Sequence, residues 1–182
     1  MKEIRIHGRG GQGSAVAARI LTTAFVYEGK WASGFPVFGV ERRGAPITAF
    51  VRFNDRPIRE KTKIYQADSL VVIDSHLLHA LDVFQGVREG CILVVNSPVP
   101  LTGQYQTYVH AIGLVDATEI SVQEIGRSIT NTCMLGAFAR STGWIRLDSV
   151  LSALNDYFSG DMLDRNMRAV RRGYQETTLM RF

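Results

Sequence analysis

Apolar and polar positions change rhythm several times along this chain. Ile4 and Ile6 alternate with Arg5 and His7, the two-residue period of a short strand. A glycine cluster, Gly8–Gly13, follows as a turn. From Ser14 to Glu28 the period lengthens, and Val16, Ile20, Ala24 and Tyr27 fall on one helical stripe. Ser14 is placed as the N-cap, and Gly29 as the glycine that closes the helix. Residues 31–46 show no period. Gly34, Pro36, Gly39, Gly44 and Pro46 stand among Trp31, Phe35 and Phe38, which predicts a long ordered loop or a pair of tight turns. Ile47–Phe53 alternates again as a strand, Asn54-Asp55 turns the chain, and Pro57–Arg59 is a candidate edge strand.

Two later runs, Leu70–Ile73 and Ile92–Val95, are apolar without interruption, as strands buried on both faces of a parallel sheet are. A helical patch over Leu77–Val87 lies between them and makes a strand–helix–strand unit. Tyr108–Ile112, or alternatively Leu114-Val115, supplies one more strand. From Ala117 the pattern reads as helical to the end, in segments over Ile120–Ile125, Thr132–Ser141, Asp148–Phe158 and Asp161–Tyr174. There is no repeat, low-complexity stretch or linker. The expectation is one α/β domain over residues 1–182.

Composition sharpens this in a few places. With 182 residues, 46% of them hydrophobic, the chain can bury one substantial core. The net charge of +4 and pI near 9.3 come from scattered rather than clustered Lys and Arg, so neither nucleic acid nor membrane is expected as a partner. Cys91 and Cys133 form no Cys-x-x-Cys unit, so no zinc or iron–sulfur site is expected in this chain. Such sparse cysteine use suits a reducing cytosol. The start has no signal-peptide pattern, and no apolar run reaches membrane-spanning length. A cytoplasmic location is expected.

The glycine cluster carries the first candidate chemistry. Gly8-Arg9-Gly10-Gly11-Gln12-Gly13 fits Gly-x-Gly-x-x-Gly, which in a dinucleotide site is followed by a strand ending in an acid roughly 20 residues on. Glu28 has that spacing, but it falls at the end of the helix, so NAD or FAD binding is disfavoured. The same residues fit Gly-x-x-x-x-Gly, but Ser14 stands where a P-loop has its lysine, which disfavours a nucleoside triphosphatase. Two readings stay open. Exposed amides at a helix N-terminus favour an anion, with Arg9 adding charge; alternatively, the glycines only let helix and sheet pack closely.

A second stretch, Phe38–Pro46, sets Glu41, Arg42 and Arg43 between apolar residues and glycines. The arginines can clamp a carboxylate or phosphate through forked hydrogen bonds, or pair locally and shape the loop. Other residues carry less. Asp74, His76, His79 and Asp82 lie close in sequence without a metal-binding frame, and Asp74 is better placed as a cap at a strand end. Cys133 sits in an apolar helix, where thiols are usually inert. The arginines at 165–172 mark one wet helix face, or a face for an acidic partner. No Gly-x-Ser-x-Gly or Ser-His-Asp arrangement is present.

Several segments together resemble the gamma subunits of pyruvate:ferredoxin oxidoreductase and other 2-oxoacid:acceptor oxidoreductases. They are His-Gly-Arg-Gly-Gly-Gln-Gly at 7–13, Phe-Pro-Val-Phe-Gly-Val-Glu-Arg-Arg-Gly-Ala-Pro at 35–46, Arg-Pro-Ile-Arg at 56–59 and Asn-Thr-Cys-Met-Leu-Gly-Ala-Phe at 131–138. The C-terminal helices are similar too, so the resemblance spans nearly the whole chain. Ala45 is closer to pyruvate-type members than to those with glycine there. The resemblance implies a single three-layer Rossmann-like domain with a mostly parallel sheet and a helical C-terminal part. It also implies oxidative decarboxylation of a 2-oxoacid, pyruvate first, to an acyl-CoA, with electrons passed to ferredoxin. Thiamine diphosphate, Mg2+ and 4Fe–4S clusters would belong to the alpha, beta and delta partner chains and none to this one. CoA would be a substrate, and no catalytic or metal-binding residue is expected here. Gly8, Arg9, Gly10, Gly11, Gln12, Gly13, Glu41, Arg42, Arg43 and Gly44 would face CoA or a partner subunit. An aryl or branched-chain 2-oxoacid dehydrogenase with NAD as acceptor is the alternative, and a stand-alone nucleotide-binding oxidoreductase a more distant one.

Overall fold

A computed structural model of the chain describes residues 1–37 and 44–182. The continuous apolar runs become the middle of one seven-stranded sheet, ordered β2-β3-β1-β4-β5-β6-β7. Strands β1 (Lys2–Arg9), β4 (Ala67–Val72), β5 (Val87–Asn96) and β6 (Ala111–Val115) lie side by side and parallel. Strand β3 (Pro46–Asn54) pairs antiparallel with β1, and β2 (Trp31–Val37) pairs antiparallel with β3. At the other edge β7 (Thr178–Arg181) runs antiparallel to β6. Five of the seven strands therefore point the same way, and the expected α/β architecture is observed.

Five helices cover one face: α1 (Ser14–Tyr27), α3 (Ala117–Ile125), α4 (Asn131–Thr142), α5 (Leu147–Ala153) and α6 (Gly160–Glu176). Ile4, Ile6, Val51, Val71 and Val94 pack there against Phe25, Met134 and Phe138. Helix α4 is the central layer of this side, with ten of its twelve residues buried. It touches α6 backbone to backbone: a Cβ at Gly136 would stand 2.0 Å from the Val170 carbonyl oxygen, and one at Gly173 would stand 2.2 Å from that of Cys133. The opposite layer is thin. Phe50, Leu70, Val72, Leu93 and Val95 are covered by the single turn α2 (Leu77–Ala80) and by irregular segments anchored through Ile64, Val83 and Val109.

Several local expectations are corrected. Residues 31–37 are a strand rather than a loop. Gly34 and Pro36 hide its alternation, and an edge strand tolerates the missing N–H of Pro36. Gly34 is needed because a Cβ there would lie 2.2 Å from Thr22 Oγ1 on α1. The chain does not stay helical to its end, because Thr178–Arg181 is a strand too short to show a period. The helix expected over 77–87 stops at Ala80, where Leu81 becomes extended. That over 148–158 passes into a 3-10 turn at Leu154–Asp156, and residues 57–59 are not a strand. The buried stripe of α1 is Ala17, Ala18, Ile20, Leu21, Ala24 and Phe25; Val16 is partly covered, and Tyr27 is half exposed with its hydroxyl donating to Asp156 (2.6 Å). Among the described residues no helix is long and apolar enough to cross a membrane.

Candidate functional site

Strand β1 delivers the glycine loop to the C-terminal edge of the parallel strands, where open α/β sheets collect ligands. The turn closes on itself: the Arg9 amide donates to Gln12 Oε1 (2.7 Å) and the Gln12 amide donates to the Arg9 carbonyl (3.0 Å). Beyond the last ladder pair, the Gly10 amide donates to the Ala45 carbonyl (2.8 Å) and the Gly44 amide to that of Gly10 (3.2 Å). Gly8–Gly13 and Gly44 are thus brought together. Glu41, Arg42 and Arg43 lie outside the described residues.

Gly13, not Ser14, is the N-cap of α1. Its backbone is left-handed (φ 79°), and a Cβ would stand 2.5 Å from Asn131 Nδ2, so two independent constraints demand glycine. Asn131 donates to the Gly13 carbonyl (3.3 Å) and so ties the start of α4 to the start of α1. Ser14 is the first helical residue. Its buried hydroxyl has no partner among the described residues, and it lies 2.3 Å from where a Cβ on Gly8 would be.

Arg9 is not a free anion ligand. Its Nε donates to Asp74 Oδ2 (2.6 Å) and its Nη1 to the Gly44 carbonyl (3.2 Å). Asp74, just past the end of β4, also accepts from the His76 amide (3.0 Å) and Nδ1 (2.9 Å), so it caps the turn as expected and forms an ion pair besides. Burial alone would raise the Asp74 carboxyl, but the hydrogen bonds from Arg9 and His76 outweigh it and hold the group below its ordinary value.

Beside this pair opens a cleft of about 310 Å³, lined among others by Gln12, Asp74, His76, Asn96, Thr118 and Thr130. Three helix starts border it. Gln12 precedes α1, Thr118 is in the first turn of α3, and Thr130 is the N-cap of α4 with no side-chain capping bond. Their aligned dipoles bring positive potential to the cleft, although several first-turn amides are already capped: that of Thr118 donates to Asn96 Oδ1 (3.3 Å), that of Glu119 to Asp116 Oδ1 (2.9 Å) and that of Thr132 to Asn131 Oδ1 (2.9 Å). Asn96 fixes one wall, donating to the Ile73 carbonyl (3.0 Å) and to Thr118 Oγ1 (3.0 Å). Asn96, Thr118 and Thr130 were not singled out by sequence. The signal available was a polar residue ending the apolar run 92–95 and a threonine preceding a helix.

The remaining candidates separate from this site. Glu28, the would-be ribose ligand, instead caps α5: it accepts from the Arg146 amide (2.8 Å) and Ser149 Oγ (2.7 Å). His79 and Asp82 do not share a helix, and among the described residues no three metal-ligating side chains converge. Arg168 and Arg172 reach Glu124 on α3 (2.8 and 3.0 Å), so the face expected to be wet, or to meet an acidic partner, is partly paired within the chain. Burial pushes both thiols up to about 12, as expected for inert cysteines. The cleft offers hydrogen-bond donors for an anion, no thiol, and a carboxylate already neutralised by Arg9.

Comparison with known proteins gives this geometry its setting. The model of a family described as pyruvate ferredoxin/flavodoxin oxidoreductase matches residues 3–176. The chain belongs to that family. Among curated relatives, the common gamma subunit of the pyruvate/ketoisovalerate oxidoreductases of Pyrococcus abyssi is 46% identical over 182 residues, covering 98% of each chain. The gamma subunit of the NADH-dependent phenylglyoxylate dehydrogenase of Aromatoleum evansii is also 46% identical, covering 98% of this chain and 95% of that one. Among solved structures, the pyruvate oxidoreductase subunit PORC of Thermotoga maritima superposes with a TM-score of 0.85 at 38% identity, covering 98% of this chain and 97% of that one.

Proposed function

We propose that this chain, residues 1–182 as one domain, is the gamma subunit of a 2-oxoacid oxidoreductase and contributes to its CoA site without performing chemistry. The observation that carries this is the near end-to-end likeness to gamma subunits that work beside other chains. The complex would convert a 2-oxoacid, pyruvate first, plus CoA into acyl-CoA and CO2, with two electrons passed to ferredoxin. Thiamine diphosphate, Mg2+ and 4Fe–4S clusters would reside in the alpha, beta and delta chains. Here the turn Gly8–Gly13 and the three helix starts would face a CoA phosphate, with Gly44 beside them; Glu41, Arg42 and Arg43 are assigned to the same ligand from the sequence resemblance alone. The fit is chemical: oriented amides and hydroxyls suit a phosphate, and Arg9 keeps Asp74 from repelling it.

The Aromatoleum relative, equal in identity to the archaeal one, supports a second reading with an aryl 2-oxoacid and NAD as acceptor. Purifying the native complex distinguishes these. Co-purifying iron–sulfur and thiamine chains, CoA-dependent pyruvate oxidation and ferredoxin reduction are expected. A bound flavoprotein and NAD reduction would favour the second reading. Turnover of a 2-oxoacid by this polypeptide alone would overturn both.

A further inference from the structure

We propose that the thinly covered face of the sheet, centred on Tyr65, Phe84 and Tyr108 and rimmed by Arg59, Lys61 and Lys63, is the docking surface for an acidic protein, namely a carboxylate-rich surface on another subunit of the oxidoreductase. The proposal rests on the gamma-subunit reading. Tyr65 is 72% exposed and Tyr108 52%. Phe84 stacks on Tyr108 with ring centroids 4.8 Å apart, and the Tyr65 carbonyl packs so close to Gly86 that a Cβ there would stand 2.0 Å away. The aromatic residues therefore come together from three irregular segments, those before β4, before β5 and before β6. Arg59, Lys61 and Lys63 are exposed, and none forms an ion pair among the described residues. An aromatic centre within a charged rim is the usual anatomy of a protein interface.

What separates this loop from an ordinary solvated one is how it is held. Arg52 on β3, 2% exposed, donates to the Thr62 carbonyl (2.7 Å) and the Lys63 carbonyl (3.2 Å) while its Nε binds Glu3 (2.7 Å). Arg5 on β1 donates to the carbonyls of Val83 (3.0 Å) and Gln85 (2.7 Å). Two buried guanidinium groups thus fix the backbones that present the patch, although burying charge carries a desolvation penalty. A preorganised surface loses less entropy on docking. The rim selects an acidic partner. A second copy of this chain would set like charges against each other, and exposed Glu60 and Asp82 weaken the field that a nucleic acid would need.

The test is assembly of the complete oxidoreductase with Lys61→Glu/Lys63→Glu, Lys61→Arg/Lys63→Arg, Tyr65→Ala or Arg19→Glu in this chain, read as affinity for the remaining subunits at several salt concentrations. Charge reversal is expected to weaken assembly at least about 10-fold, and Tyr65→Ala about as much. The Lys→Arg pair and Arg19→Glu, exposed on α1, should assemble like the parent. Parent-like assembly of the reversed chain, equal loss from Arg19→Glu, or binding to duplex DNA that the reversal abolishes would each overturn the proposal. If even the parent chain captures no sister subunit, the gamma-subunit reading falls and this one with it; assembly indifferent to the reversal removes this one alone.

Discussion

The two faces of the sheet solve the same covering problem with different physics. Beneath the helices, apolar side chains and glycines let backbones touch, and stability follows shape. On the other face there is little helix, and buried guanidinium groups pin irregular chain instead: Arg52 donates to the Thr62 carbonyl (2.7 Å) and Arg5 to the Gln85 carbonyl (2.7 Å), while Glu3 accepts from Arg52 (2.7 Å) and Arg88 (2.6 Å) across the strands. Strand alternation dictates the division, since Ile4 and Ile6 point to the helices while Arg5 and His7 point away. One side should therefore respond to size and the other to charge and pH.

The largest effect is expected on the charged face. Arg52→Ala leaves the Glu3 carboxylate buried with less compensation and frees the carbonyls of Thr62 and Lys63, and should cost about 3–5 kcal/mol in urea unfolding. Next is His7. Burial, and secondarily Arg5, lower its imidazole from 6.5 to about 4, and its Nε2 has no partner among the described residues. Between those pH values the unfolded chain binds a proton that the folded chain refuses, so stability falls as pH drops from 6.5 toward 4, by up to about 3 kcal/mol. His7→Gln should remove this component from the pH profile; an unchanged profile would refute the assignment. On the helical face Gly136→Ala should cost about 2 kcal/mol by forcing α4 from α6, with no pH dependence over the same range. The smallest effect is at the rim: Arg146→Ala loses an exposed pair with Glu28 but not the backbone cap, and should change stability by less than about 1 kcal/mol.

The same division explains what could be read from sequence. Unbroken apolar runs at 70–73 and 92–95 and the 3.6-residue stripes exposed the central strands and the helical face, because burial there is periodic. β2 escaped because Gly34 and Pro36 interrupt its alternation, and β7 because four residues carry no period. The charged layer was invisible: Arg5 and Arg52 look like solvent-facing strand residues until Thr62, Val83 and Gln85 arrive from distant sequence. At the cleft, the glycine turn was legible from the residues themselves, while its association with Gly44 was legible only through the family resemblance. The pairing of Arg9 with Asp74, 65 residues apart, was not, and it leaves an array of oriented amides and hydroxyls, rather than a free Arg9, to meet an anion.

That array is the centre of the account, and the most direct measurement is the CoA dependence of the assembled oxidoreductase carrying Gly13→Ala, set beside the parent enzyme. A methyl at Gly13 pushes against Asn131 and disturbs the left-handed start of α1 while leaving every partner chain intact. The account predicts a KM for CoA raised at least about 10-fold, with the KM for the 2-oxoacid unchanged, since an ordered anion contact is worth about 1.5–3 kcal/mol. An unchanged KM for CoA in a complex of full subunit content, or a rise confined to the 2-oxoacid, would contradict it.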